Sequence, residues 1–112
     1  MLGENSLREI IDRVSSTAKE TFENKLESVI LYGSYARGDF DGQSDIDIMV
    51  IADIEPCELG GVSSPFRRLC GELLYEYDTV VSVCVQDSRT YHRFVDTLPF
   101  FMNIKKEGVR VA

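Results

Sequence analysis

Long apolar runs are missing from this chain of 112 residues. No stretch approaches the roughly 20 residues that carry a helix across a bilayer, so no membrane partner is expected. The N-terminus, MLGENSLREI, is too polar and too acidic for a signal peptide. Histidine occurs once, at His92, with no Cys or Asp at metal-ligand spacing beside it. Cysteine occurs three times, at Cys57, Cys70 and Cys84, without a CxxC pair. An odd count without that spacing excludes a zinc module and a disulfide framework. The three thiols read as reduced core or near-core groups of a cytoplasmic protein. Basic residues are few: 12 Lys and Arg stand against 19 Asp and Glu, for a net charge of −7. Nucleic-acid binding relies on cations that displace counterions, so a nucleic-acid partner is disfavoured. An anionic small molecule still fits if metal ions screen the charge. Repeats, low-complexity segments and linkers are also absent, and residues 1–112 read as a single domain.

The remaining pattern is that of a small α/β protein. Ser6 and Glu9 have capping-box spacing, and Leu7, Ile10, Ile11, Val14 and Ala18 recur at helical spacing, with Phe22 a turn later. Asn24 and Lys25 should end that helix. LESVILYG, Leu26 to Gly33, reads as a strand covered on both faces. Ser34 can cap a helical turn through Arg37. GDFDGQ is a loop, DIDIMVIAD a second strand, and IEPCELGGVSS a loop or flap. Ser64 and Pro65 open a long helix with Phe66, Leu69, Cys70, Leu73 and Leu74 on its stripe. YEYDTVVSVCV reads as a third strand, with Val81, Val83 and Val85 on one face. Asp87 or Ser88 caps a short helix through Phe94, Pro99 breaks it, and FFMNIKKEG forms a last helix ending at Gly108. The order predicts a mixed β-sheet flanked by helices.

The chemistry gathers in GSYARGDFDGQSDIDIMV, from Gly33 to Val50. Side chains alternate along a strand, so Asp45 and Asp47 share a face. Two anions there repel each other unless a cation sits between them. Mg²⁺ is the natural candidate, being a hard ion that takes carboxylate and phosphate oxygens together, and a pair of such ions could clamp a phosphoryl transfer. Gly33 lets backbone approach a phosphate, and the Ser34 hydroxyl adds a donor. The planar fork of Arg37 suits phosphate oxygens, although Arg37 could equally pair with Asp39 or Asp41. Tyr35 could stack on a base or pack as a core ring. Arg67 and Arg68 read as solvated helix charges, and His92 as structural or solvent-facing. Phe100, Phe101 and Met102 cannot all point inward on one helix.

That block resembles the signature of the minimal nucleotidyltransferases, the smallest members of the DNA polymerase beta superfamily: a GSxARG segment, then SDIDL or SDIDI. LPFFMNIKKEGVRV is similar to the end of many such domains. The resemblance implies a polymerase beta-like nucleotidyltransferase fold. It implies triphosphate binding by Gly33 and Ser34, with Arg37 and Ser44 completing the nucleotide set. Asp45 and Asp47 would hold two Mg²⁺ ions, with Mn²⁺ able to substitute. The family's third carboxylate comes from a later strand, and Asp78 is its best match, as metal ligand and as an aid to deprotonating the acceptor. The implied reaction moves a nucleoside monophosphate, AMP first, from ATP or another nucleoside triphosphate to an acceptor hydroxyl. The acceptor is expected in trans, and a helical HEPN-type partner in a toxin–antitoxin pair is the specific case; a homodimer is a further arrangement. Two alternatives stand beside it: a catalytically weak or inactive nucleotide-binding module that works by docking on its partner, and transfer to an antibiotic-type small molecule.

Overall fold

The computed structural model describes residues 3–41 and 44–112; Gly42 and Gln43 of the polar loop lie outside the described residues. The first helix, α1 (Glu4–Phe22), buries Ile10, Val14, Ala18 and Phe22 on one face, as the helical spacing requires. The capping box does not form. Gly3 is the N-cap and Ser6 lies inside the first turn. A 3₁₀ turn over Glu23–Lys25 then leads into β1 (Leu26–Tyr32). A four-residue turn of helix, α2 (Ser34–Arg37), separates β1 from β2 (Ile46–Ala52).

Strand β2 is the centre of the molecule. Ile46, Ile48, Met49, Val50, Ile51 and Ala52 are all essentially inaccessible, and Asp47 alone interrupts them. Such a run is typical of a strand with neighbours on both edges and layers on both faces. The sheet has the order β3-β2-β1-β4, with β3 (Val81–Asp87) parallel to β2 and β1 antiparallel to it. A two-residue strand, β4 (Val109–Arg110), adds to the outer edge of β1; the sequence had suggested only three strands.

One face of the sheet, carrying Ile46, Ile48, Val50, Val29 and Leu31, packs on α1 and on α4 (Ser64–Tyr77). The other face, carrying Met49 and Ile51, packs on α5 (Ser88–Phe94) and α6 (Pro99–Glu107) through Tyr91, Val95, Phe101 and Ile104. These two helices cover only part of that face, and its other end stays open around Asp47. Asp87 caps α5 by accepting from the Thr90 amide at 2.9 Å.

Several expectations shift. The segment read as a flap holds a 3₁₀ turn at Pro56–Glu58 and a short helix, α3 (Leu59–Val62), with Cys57 exposed. Cys70 and Cys84 are half-buried, and all three thiols are free. Leu74, assigned to the apolar stripe of α4, is 48% exposed. Tyr75, Glu76 and Tyr77 continue α4, where the sequence suggested strand. Asp78 is its C-cap, in the left-handed region at φ 51°. A short polar residue tolerates that conformation, which ends the helix and delays the strand to Val81. Gly108 ends α6 without the positive φ expected of a C-cap glycine; its value is a lack of bulk, because a β-carbon there would overlap the Ile104 carbonyl and the Ile30 side chain.

Candidate active site

The register of the sheet lays out the site. Tyr32 on β1 pairs with Asp47 on β2, and Asp47 pairs with Ser82 on β3. Paired residues point to the same face, so Tyr32, Asp47 and Ser82 form one row across the open end of the sheet. Asp45 sits just before β2, two residues back on the same face, and its charge reaches Asp47. The Asp47 carboxyl is pushed above the usual carboxylate range. Partial burial is the largest cause, repulsion by Asp45 adds to it, and Arg37 partly offsets both. The Tyr32 phenol is pushed up to about 12 by burial, with Cys84 and Asp47 adding to the effect.

Gly33 brings the α2 turn onto this row. It adopts φ 76° and ψ −156°, a conformation that L-residues with side chains avoid. A β-carbon there would lie 2.5 Å from Asp47 Oδ2. The backbone at Gly33 therefore runs directly against the carboxylate. The Gly33 carbonyl accepts from the amides of Ala36 and Arg37, both at 3.1 Å, which closes α2. The amides of Ser34 and Tyr35 open the turn and have no carbonyl behind them within it. Ser34 is the first residue of the turn and Gly33 its cap, so Ser34 does not take the capping place the sequence suggested.

The other expected site residues are placed as follows. Arg37 Nε donates to Asp39 at 3.1 Å, and its Nη1 donates to Glu107 at 3.2 Å, so the guanidinium joins the turn to α6. The Ser44 hydroxyl accepts from the Asp41 amide at 2.9 Å and closes the loop before Asp45. Tyr35 is buried and stacks on Phe40 with ring centroids 4.3 Å apart, so it is a packed ring. His92 pairs with Glu27 at 2.8 Å on the surface, away from this row. Asp78 does not join the row, because the helix claims it as a cap; the strand position facing Asp47 is Ser82. Among the described residues no group of three or more His, Cys, Asp and Glu is poised around a metal ion.

The donor set is nevertheless suited to an oxygen-seeking divalent cation. Asp45 and Asp47 supply two hard carboxylates whose mutual repulsion is not fully neutralised. Mg²⁺ is ordinarily held by one or two carboxylates together with substrate phosphates, not by a closed protein cage. Sequence reasoning missed Tyr32 and the α6 residues Asn103 and Glu107, which share with Gly33 and Arg37 the lining of a 220 Å³ cavity beside the turn. The adjacency of Tyr32 to Gly33 was the one available signal. Nothing in the sequence indicated that α6 would fold back over β1.

Known proteins resemble this chain in sequence and in fold. The family model described as a nucleotidyltransferase domain matches residues 7–107. A candidate protein adenylyltransferase of Methanocaldococcus jannaschii is 28% identical over 105 residues, 94% of this chain and 93% of the relative. A toxin–antitoxin crystal structure with AMP-PNP is similar in fold, with a TM-score of 0.56 and 18% identity over 91% of this chain and 72% of the matched one. The complex of a tri-AMPylated Shewanella oneidensis HEPN toxin with its MNT antitoxin gives a TM-score of 0.51 and 17% identity, over 94% of this chain and 71% of the matched one.

Proposed function

The chain belongs to the nucleotidyltransferase domain family, and from that premise we propose that it moves AMP from ATP to a hydroxyl of a helical HEPN-type partner protein. The observation that carries this reading is the seating of Gly33 against Asp47, which puts the Gly33–Ser34 turn and a carboxylate pair at one open end of the sheet. Support for AMP comes from the adenylyltransferase name of the Methanocaldococcus relative. Support for the partner comes from the fold shared with a chain of a HEPN toxin–MNT antitoxin complex.

In this reading the backbone of Gly33 and the Ser34 hydroxyl seat the β- and γ-phosphates. Asp45 and Asp47 fix divalent cation, with Mg²⁺ expected as a pair and Mn²⁺ able to replace it. Bound there, the metal supplies neutralisation of the charge that spreads over the phosphate oxygens during displacement. The acceptor oxygen forms a bond to the α-phosphorus as the bond to the β-phosphate oxygen breaks. Pyrophosphate leaves, and the acceptor proton passes to water at the open end of the sheet. Arg37, already paired twice, braces the turn against α6; any contact it makes with phosphate requires exchanging one carboxylate partner for the other anion. Ser44 shapes the approach to Asp45 through its bond to Asp41.

A second reading is favoured by one observation: a serine, not a carboxylate, faces Asp47 on β3. A nucleotide-binding module that acts by docking on its partner would tolerate that residue. Incubation of wild type and Asp47→Asn with α-labelled ATP, Mg²⁺ and a HEPN-type protein separates the two. Label transferred to the partner by wild type and not by the variant supports the enzyme. No transfer, with the variant still neutralising its partner, supports the docking module.

A further inference from the structure

The cavity beside the Gly33–Arg37 turn shares those two residues with the phosphate-binding reading above, and the rest of its lining has no part in that reading. Its walls are Tyr32 and Gly33 at the end of β1, Arg37 on α2, and Phe100, Asn103 and Glu107 on α6. The last three stand at i, i+3 and i+7, so they share one face of the helix. That face presents an aromatic ring, an amide and a carboxylate to the site. At 220 Å³ the cavity is smaller than the roughly 300–1,000 Å³ that enclose a whole drug-sized ligand, and it suits one ring system.

Two features of the lining lack a partner or cover. Phe100 is 49% exposed although it is a large aromatic; it meets Tyr32 edge to face with centroids 5.8 Å apart and Phe101 at a tilt with centroids 5.7 Å apart. The exposed half of the Phe100 ring is available for stacking. Asn103 is exposed, and its amide makes no hydrogen bond among the described residues. Glu107, by contrast, is occupied by Arg37.

We propose that this cavity is the base subsite of the donor nucleotide: an adenine ring lies on Phe100 and Asn103 reads its edge. This rests on the nucleotidyl-transfer reading given above. The chemistry discriminates among bases. Adenine offers an amino donor next to a ring-nitrogen acceptor, and an asparagine amide pairs with both at once. Guanine offers two acceptors along the corresponding edge, which calls for Arg or Lys. Stacking on an aromatic ring is tolerant of base identity, since every base has a π-face. Asn103 therefore sets preference and Phe100 sets general affinity.

The test is calorimetric titration of the whole chain with ATP, GTP, CTP and UTP in Mg²⁺, for wild type, Asn103→Leu, Asn103→Asp and Phe100→Ala. Wild type should prefer ATP over GTP by about tenfold. Asn103→Leu and Asn103→Asp should remove that preference by weakening ATP alone, and Phe100→Ala should weaken all four together. Both substituted positions are exposed, so the fold is retained and circular dichroism checks it. An unchanged ATP-to-GTP ratio in both Asn103 variants overturns the subsite and leaves the transfer reading intact. Failure of wild type to bind any triphosphate overturns both.

Discussion

Gly33 and Asp47 are in contact across the β1–β2 pair: the glycine backbone runs so close to the carboxylate that a β-carbon would sit 2.5 Å from Oδ2. The positive φ of Gly33 adds a second constraint to the same position. Gly33→Ala should therefore cost about 1–3 kcal/mol in urea unfolding, the range for a non-glycine residue forced into such backbone. It should also displace the Asp47 carboxylate and abolish triphosphate binding. A variant with wild-type nucleotide affinity would show that the close approach is incidental.

Asp47 is held in an environment that disfavours its charge. Its pKa is raised on folding, so the stabilising balance is fully present below the unfolded value and is lost as pH rises through the folded one. Without metal or nucleotide, Asp47→Asn should therefore melt higher than wild type at pH 7. The gain should be a few degrees at most, since 1 kcal/mol is worth roughly 4–8 °C in a domain this size. The gap should close toward pH 3, and saturating Mg²⁺–ATP should reverse the order by stabilising only wild type. Melting curves across pH, with and without ligand, check all three statements.

Ser82 stands where a third carboxylate would complete the row. Ser82→Asp should tighten divalent-cation binding about tenfold and lower the stability of the metal-free protein by adding a like charge beside Asp47. Titration with Mn²⁺ followed by electron paramagnetic resonance reads the affinity directly. Unchanged affinity would place the ion away from β3.

Asp78 caps α4 in the left-handed region, a conformation asparagine shares. Asp78→Asn should keep both stability and nucleotidyl transfer within about twofold of wild type. Loss of transfer by 100-fold or more with normal melting would return Asp78 to the catalytic set.

Phe101 anchors α6, packing against Tyr91 with ring centroids 5.4 Å apart while 6% exposed. Phe101→Ala should cost about 3–5 kcal/mol. Because α6 forms one wall of the cavity, base discrimination should be lost with it. Denaturant unfolding and the four-nucleotide titration check the two effects together.

The elements that depend on local pattern were legible in the sequence. The stripe of α1, the apolar run of β2 on either side of Asp47 and the Asp87 cap of α5 each follow from periodicity or a short-range hydrogen bond. The paired Asp45 and Asp47 followed from strand alternation, and the Phe100–Met102 triplet from helical geometry: Phe101 is buried while Phe100 and Met102 stay half exposed. The segment 75–80 misled because its aromatic and β-branched residues favour strand, while the capping of Leu74 by the Asp78 amide draws the helix on to Tyr77.

By itself, then, the sequence determined a small mixed sheet with a glycine–serine turn and two carboxylates at the entrance to its central strand, because these rest on residues adjacent in the chain. Only the tertiary structure decided what faces that pair. The parallel register of β3 set Ser82, not Asp78, against Asp47. The return of α6 over β1 set Glu107 against Arg37 and Asn103 beside Gly33, across about 70 residues of chain. Such juxtapositions depend on strand order and helix packing, and no spacing in a sequence encodes them.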